Sequence, residues 1–171
     1  MLQAGQNVPM FELPDADMAL FELSSLRGKS HAVLFFYPRD DTPLCTIEAA
    51  DFSDHESDFN RHNCTILGIS RDDCLRHADF RDKHGLSVRL LSDMEGKVSR
   101  QFGVCHYKEV DGVKKLCVIR STLVIDMDGV VRHALYDVQP RGHAAEVFQL
   151  VKELDRSCRS PKTQLSRSPI A

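Results

Sequence analysis

The chain has 171 residues, 42% of them hydrophobic and 27% charged, with a formal net charge of −3. That length suits one domain that buries its own core without disulfides or metal. The slightly acidic balance argues against a nucleic-acid surface, and no apolar run reaches the ~20 residues needed to cross a bilayer, so neither nucleic acid nor membrane is expected as a partner.

The opening residues carry no basic and apolar leader pattern, and the expected location is cytoplasmic. Residues 10–13 and 19–23 alternate apolar and polar side chains on either side of a Pro-Asp-containing break and read as a small hairpin. Residues 24–29 form a turn. Residues 31–37 (HAVLFFY) are apolar without a breaker, which predicts a central buried strand. Cys45, Ala49, Phe52 and Phe59 recur at helical spacing and predict a helix over about 43–60. A strand follows over 64–70, then a helix over 72–85 that ends on Gly85, a short strand over 88–93 and a short helix over 95–104. Residues 106–116 read as a loop running into a strand over 113–118. Strands over 121–126 and 130–138 flank a Met-Asp-Gly turn and form a hairpin. An amphipathic helix over 142–156 presents Val147, Leu150, Val151 and Leu154 on one side. The polar, proline-containing stretch 157–171 is expected to be a disordered tail, which leaves 1–156 as the single domain. Strands alternating with helices and then an antiparallel pair describe an α/β domain, a mixed central sheet with helices on both faces and an N-terminal hairpin, the plan of the thioredoxin-like fold.

Six cysteines stand at 45, 64, 74, 105, 117 and 158. They are too sparse for a secreted disulfide scaffold, and no Cys-x-x-Cys pair occurs, which argues against a disulfide oxidoreductase. Cys74-x-x-His77 and Cys105-His106 contain metal-ligand types, but no second pair follows at zinc spacing, so no metal or other cofactor is expected. The segment 37–46, YPRDDTPLCT, is the most informative. Thr42 is a good N-cap and Pro43 a good first helical residue, which makes Cys45 the third residue of the helix. Unpaired backbone N–H groups and the positive helix end favour a thiolate there, and a thiolate is a nucleophile. Asp40 and Asp41 oppose that charge, so a reactive Cys45 needs a cation, either Arg39 or one brought from elsewhere in the fold. Helix geometry alone also fits a small buried structural thiol.

Pro38, Thr42 and Cys45 together form Pro-x-x-x-Thr-x-x-Cys, which resembles the peroxidatic-cysteine motif of the peroxiredoxins. Arg39-Asp40, CTIEA (45–49), LGIS (67–70), KHGL (83–86), LLSD (90–93), FGV (102–104) and RSTLVID (120–126) are similar to the bacterioferritin comigratory protein, or peroxiredoxin Q, subgroup. The resemblance runs in order over most of residues 5–155. It implies a thiol peroxidase without a cofactor, reducing hydrogen peroxide and organic hydroperoxides, with Cys45 passing through a sulfenic acid. Thr42 matches the threonine that contacts sulfur and peroxide. Pro38 matches the proline that shields the cysteine from water, and Arg120 the arginine that donates to thiolate and peroxide. Glu48, on the same helix, is a candidate to orient that arginine, or else a plain helix residue. The implied reductant is thioredoxin or a similar thiol, and the expected state a monomer, with a dimer as the alternative.

Two departures from the subgroup matter. Ala50 stands where many members carry a resolving cysteine, and Leu44 where glycine is common. Other members resolve from the helix after the second strand, at a position nearer Arg81. Cys74 lies on that helix and is a candidate resolving residue, or a thiol without a partner. Cys105 and Cys117 flank the loop and could meet across it or simply pack. Resolution by an external thiol is the remaining route, and a redox or binding protein of the same fold without peroxidase activity is the alternative reading.

Overall fold

The computed structural model describes residues 1–165, with side chains through Cys158. A hairpin of β1 (Glu12–Pro14) and β2 (Leu20–Glu22) leads through a 3-10 turn into β3 (His31–Phe36). Then come α1 (Pro43–Arg61), β4 (Cys64–Ser70), α2 (Cys74–His84), β5 (Arg89–Ser92) and α3 (Lys97–Gln101). The second half holds β6 (Cys105–Val110), β7 (Val113–Val118), β8 (Ser121–Ile125), β9 (Val131–Tyr136) and α4 (His143–Leu165).

The central sheet has five strands in the order β5-β4-β3-β8-β9, parallel through β3, β4 and β5 and antiparallel at β8 and β9. Every residue of β3 is buried, as its unbroken apolar run requires for a central strand covered on both faces. Val33, Phe35 and Tyr37 point into one layer with Phe52 and Phe59 of α1, Phe80 of α2 and Val147 and Val151 of α4. Ala32, Leu34 and Phe36 point the other way, against Phe11, Leu13 and Phe21 of the N-terminal segment and Val98 and Phe102 at α3. The expected α/β plan is therefore present. Gly68 on β4 lies where the layers are tightest: a Cβ there would sit 2.6 Å from Phe35 Cζ and 2.9 Å from Leu90 Cδ2.

Two expectations need correction. The segment read as a loop begins with β6, which pairs with β7 as a separate two-stranded hairpin around Asp111 and Gly112, both at positive φ. An Asp-Gly pair is the preferred two-residue hairpin turn, and exposed strands with polar side chains lack the apolar alternation that would announce them. The last helix also runs past 156, through Leu165. Nothing in residues 156–160 breaks a helix, and Cys158 extends the apolar stripe of Val147, Val151 and Leu154 against the core. The remainder of the predicted tail, 166–171, lies outside the described residues. Among the described residues no helix is long and apolar enough to cross a membrane.

Candidate active site

Thr42 occupies the N-cap position of α1 with extended backbone angles, Pro43 is the first helical residue, and Cys45 follows in the first turn. The Thr42 hydroxyl does not cap the helix. It donates to the Arg39 carbonyl at 3.1 Å, while the Thr42 carbonyl accepts from Thr46 N and Thr46 Oγ1. The Cys45 side chain is turned inward, leaving the residue 1% exposed. That burial follows from the i, i+4, i+7 stripe that Cys45 shares with Ala49 and Phe52.

Arg120 enters this pocket from the residue before β8. Its Nη2 donates to Cys45 Sγ at 3.3 Å and its Nη1 to Glu48 Oε1 at 3.1 Å. Cys45 and Glu48 are three residues apart on α1 and so share a helix face, which lets one planar guanidinium reach both. Burial weighs against the Arg120 charge, yet its bonds to Cys45 and Glu48 hold its pKa above the ordinary arginine value. Glu48 is 1% exposed, and Oε2 has no hydrogen-bond partner. Its burial raises the carboxyl pKa to about 7, against the opposing pull of Arg120.

The structure thus brings Cys45, Glu48 and Arg120 into one cluster, with Thr42 one turn away. Pro38 is exposed, in the wall of a cleft beside the turn. Cys74 is the first residue of α2, half-buried, and both it and Cys45 are free thiols. Cys105 pairs in register with Val118, and Cys117 with His106, so these two thiols lie on opposite faces of the hairpin and do not meet across it. Burial pushes the Cys64 thiol far above its ordinary range and that of Cys105 upward as well.

What sequence reasoning missed is how the two aspartates are handled. Asp40 accepts from Tyr37 OH at 2.6 Å and lies 2.6 Å from His77 Nδ1, and its backbone N–H donates to Asp72 Oδ2. His77 is fully buried, and its Nε2 donates to the Leu91 carbonyl. Both ring nitrogens are therefore occupied, which removes His77 from any metal site with Cys74. Asp41 bonds to Lys83 and His84, and the His84 and Lys83 hydrogen bonds hold its carboxyl below the usual range. Both carboxylates are given partners on α2. The only advance signal was that two acids beside a thiolate require compensation.

Residues 4–134 match the model of the AhpC/TSA family. A putative peroxiredoxin bcp of Coxiella burnetii is 39% identical over 146 residues, 85% of this chain and 96% of that protein. Among solved structures, the peroxidoxin BcpB of Mycobacterium tuberculosis superposes with a TM-score of 0.81 at 34% identity, covering 90% of this chain and 98% of that one. The Xanthomonas campestris bacterioferritin comigratory protein gives 0.80 at 31% identity, over 85% and 92%. With a thiol-bearing helix start of this form on this sheet, and likeness along nearly the whole length of these relatives, the chain belongs to the AhpC/TSA family, in its Bcp or peroxiredoxin Q group, and is a thiol peroxidase.

Proposed function

We propose that Cys45 is the peroxidatic nucleophile and that Arg120 is its electrostatic partner. The observation that carries this reading is the single guanidinium bonded to both Cys45 Sγ and Glu48. In the reaction the Cys45 thiolate attacks one peroxide oxygen. An S–O bond forms as the O–O bond breaks, and the departing alkoxide or hydroxide takes up a proton to leave as alcohol or water. The enzyme is left as a sulfenic acid. Arg120 supplies N–H donors where negative charge passes from sulfur to oxygen, in a site screened from water, where such donors count for most. Glu48 fixes the plane of the guanidinium. Thr42 offers a hydroxyl at the pocket mouth, and Pro38 stands at the end of β3 where the chain turns into that mouth.

The substrates in this reading are hydrogen peroxide and organic hydroperoxides; the Xanthomonas campestris relative is described by its alkyl peroxide reduction activity. The reductant is thioredoxin or a comparable thiol. The working unit is a cytoplasmic monomer. Cys74 remains the candidate resolving thiol from within the chain.

Two variants test the reading. Cys45→Ser abolishes peroxide consumption, followed directly as hydrogen peroxide loss; sustained turnover would remove Cys45 from the mechanism. Arg120→Ala lowers the second-order rate of Cys45 oxidation by about 10²–10³-fold, the usual cost of losing one preorganised donor. Stopped-flow measurement at saturating reductant reads that rate, and an unchanged value would exclude the assigned role.

A further inference from the structure

Attack by Cys45 expels an alkoxide or hydroxide, strong bases that leave readily only when a proton meets them. The pocket is screened from water, with Cys45 and Glu48 each 1% exposed. The Thr42 hydroxyl already donates to the Arg39 carbonyl, and an arginine keeps its proton at any relevant pH. Glu48 is placed differently. Its Oε1 accepts from Arg120 Nη1 at 3.1 Å, while Oε2 is buried and has no hydrogen-bond partner among the described residues. Buried polar atoms are nearly always paired, so a lone carboxyl oxygen beside the reacting sulfur needs a reason. A proton on Oε2 supplies one, because it converts a buried acceptor without a donor into a donor.

Charge balance points the same way. Cys45 Sγ and Glu48 Oε1 accept from the two NH2 groups of one guanidinium. With both acids ionised, two negative charges share one cation in a buried site. With a thiolate on Cys45 and a proton on Glu48, the three groups sum to zero, so the two acids behave as a coupled pair. Burial already raises the Glu48 carboxyl to about 7 against the pull of Arg120. The neighbouring titratable groups do not change this balance. His143, at the start of α4, packs edge-on against Phe52, and burial lowers its pKa against Glu146 and Asp51, with Arg120 lowering it further. Asp51, further along α1, faces His55. Oxidation then moves the charge: a sulfenic acid is neutral, so Arg120 loses its anion at sulfur and regains one if Glu48 releases its proton.

We propose that Glu48 is the proton donor to the leaving oxygen of the peroxide. The inference rests on the peroxidase reading above and adds to the part Glu48 plays in holding Arg120. The Cys45 thiolate attacks the terminal oxygen; the S–O bond forms, the O–O bond breaks, and two electrons pass from sulfur to the peroxide. The departing alkoxide or hydroxide takes the Glu48 proton and leaves as alcohol or water. The negative charge that began on Cys45 ends on the Glu48 carboxylate, paired with Arg120. When thiol reductant restores the Cys45 thiolate, the proton set free returns to Glu48.

The test compares two oxidants on the full chain by stopped flow at about pH 6, below the Glu48 pKa of about 7. Hydrogen peroxide expels hydroxide, which needs a proton. Peracetic acid expels acetate, which is stable as the anion. Glu48→Gln keeps a carbonyl oxygen for Arg120 Nη1 but has no proton to give. It is expected to lower the second-order rate of Cys45 oxidation by hydrogen peroxide about 10²-fold, and the loss with peracetic acid is at least ~10-fold smaller. Equal losses with the two oxidants, the pattern expected of Arg120→Ala, would show that Glu48 acts only through the guanidinium; they would overturn the proposal and leave the peroxidase reading intact. An undiminished hydrogen peroxide rate in Glu48→Gln would overturn it as well. Absence of any dimedone-trapped sulfenic acid on wild-type Cys45 with either oxidant instead overturns the peroxidase reading, and this proposal with it.

Discussion

Cys45 and Arg120 lie far apart in sequence, and their contact depends on one side chain reaching down from the start of β8 onto the first turn of α1. Glu48 completes that contact at a cost. Burial raises its pKa to about 7 from an ordinary 4.5, so the folded protein holds its proton more tightly than the unfolded chain does. As pH rises from about 4.5 toward 7 the unfolded carboxyl ionises first, and the fold loses stability over that window; the lost stability is on the order of 3 kcal/mol. Glu48→Gln removes the titration. Denaturant unfolding at pH 5 and pH 8 should therefore show wild type losing stability relative to this variant at the higher pH. Parallel pH curves for the two proteins would mean that Arg120 compensates the buried charge fully.

At the scale of elements, the turn before α1 is held down by α2. Asp40 is gripped by Tyr37 and His77, and Asp41 by Lys83 and His84. His77→Gln leaves the buried Asp40 carboxylate poorly paired and should cost about 3 kcal/mol or more. Its more specific signature is faster amide exchange at residues 40–46 with little change on β3, read by hydrogen-exchange mass spectrometry. Uniform acceleration would instead mark His77 as a general core residue. On the sheet, Gly68→Ala forces a methyl into Phe35 and Leu90 and should cost about 1–3 kcal/mol, since neither ring nor leucine has room to yield between packed layers. A denaturant midpoint equal to wild type would show that those side chains repack.

The whole molecule determines how the oxidised sulfur is handled. Cys45 lies under an intact helical turn fastened to α2, and a disulfide requires two sulfurs at bonding distance. One equivalent of peroxide in the absence of added thiol should accordingly yield mainly a dimedone-trappable sulfenic acid on Cys45 in a peptide map. A Cys45–Cys74 disulfide as the main product would show that the first turn opens readily and that α2 supplies the resolving thiol.

Much of this was legible in one dimension. The unbroken HAVLFFY run specifies a strand covered on both sides, because only a central strand buries consecutive side chains. Thr42-Pro43 specifies where α1 starts, and the spacing from Cys45 to Phe59 specifies which face is buried, because both depend on local backbone geometry and a short period. Strands written in polar residues, such as β6, stayed hidden, since an exposed hairpin leaves no hydrophobic alternation and speaks only through its Asp-Gly turn. The chain alone determined that a thiol stands at the start of a helix and that its neighbouring acids need compensation. Likeness to the family already named Arg120 for the sulfur, and in the fold its guanidinium bonds to Cys45; only the tertiary structure decided the partners of the aspartates, His77, Lys83 and His84, because partners drawn from distant segments are chosen by the way the layers pack and not by any local pattern.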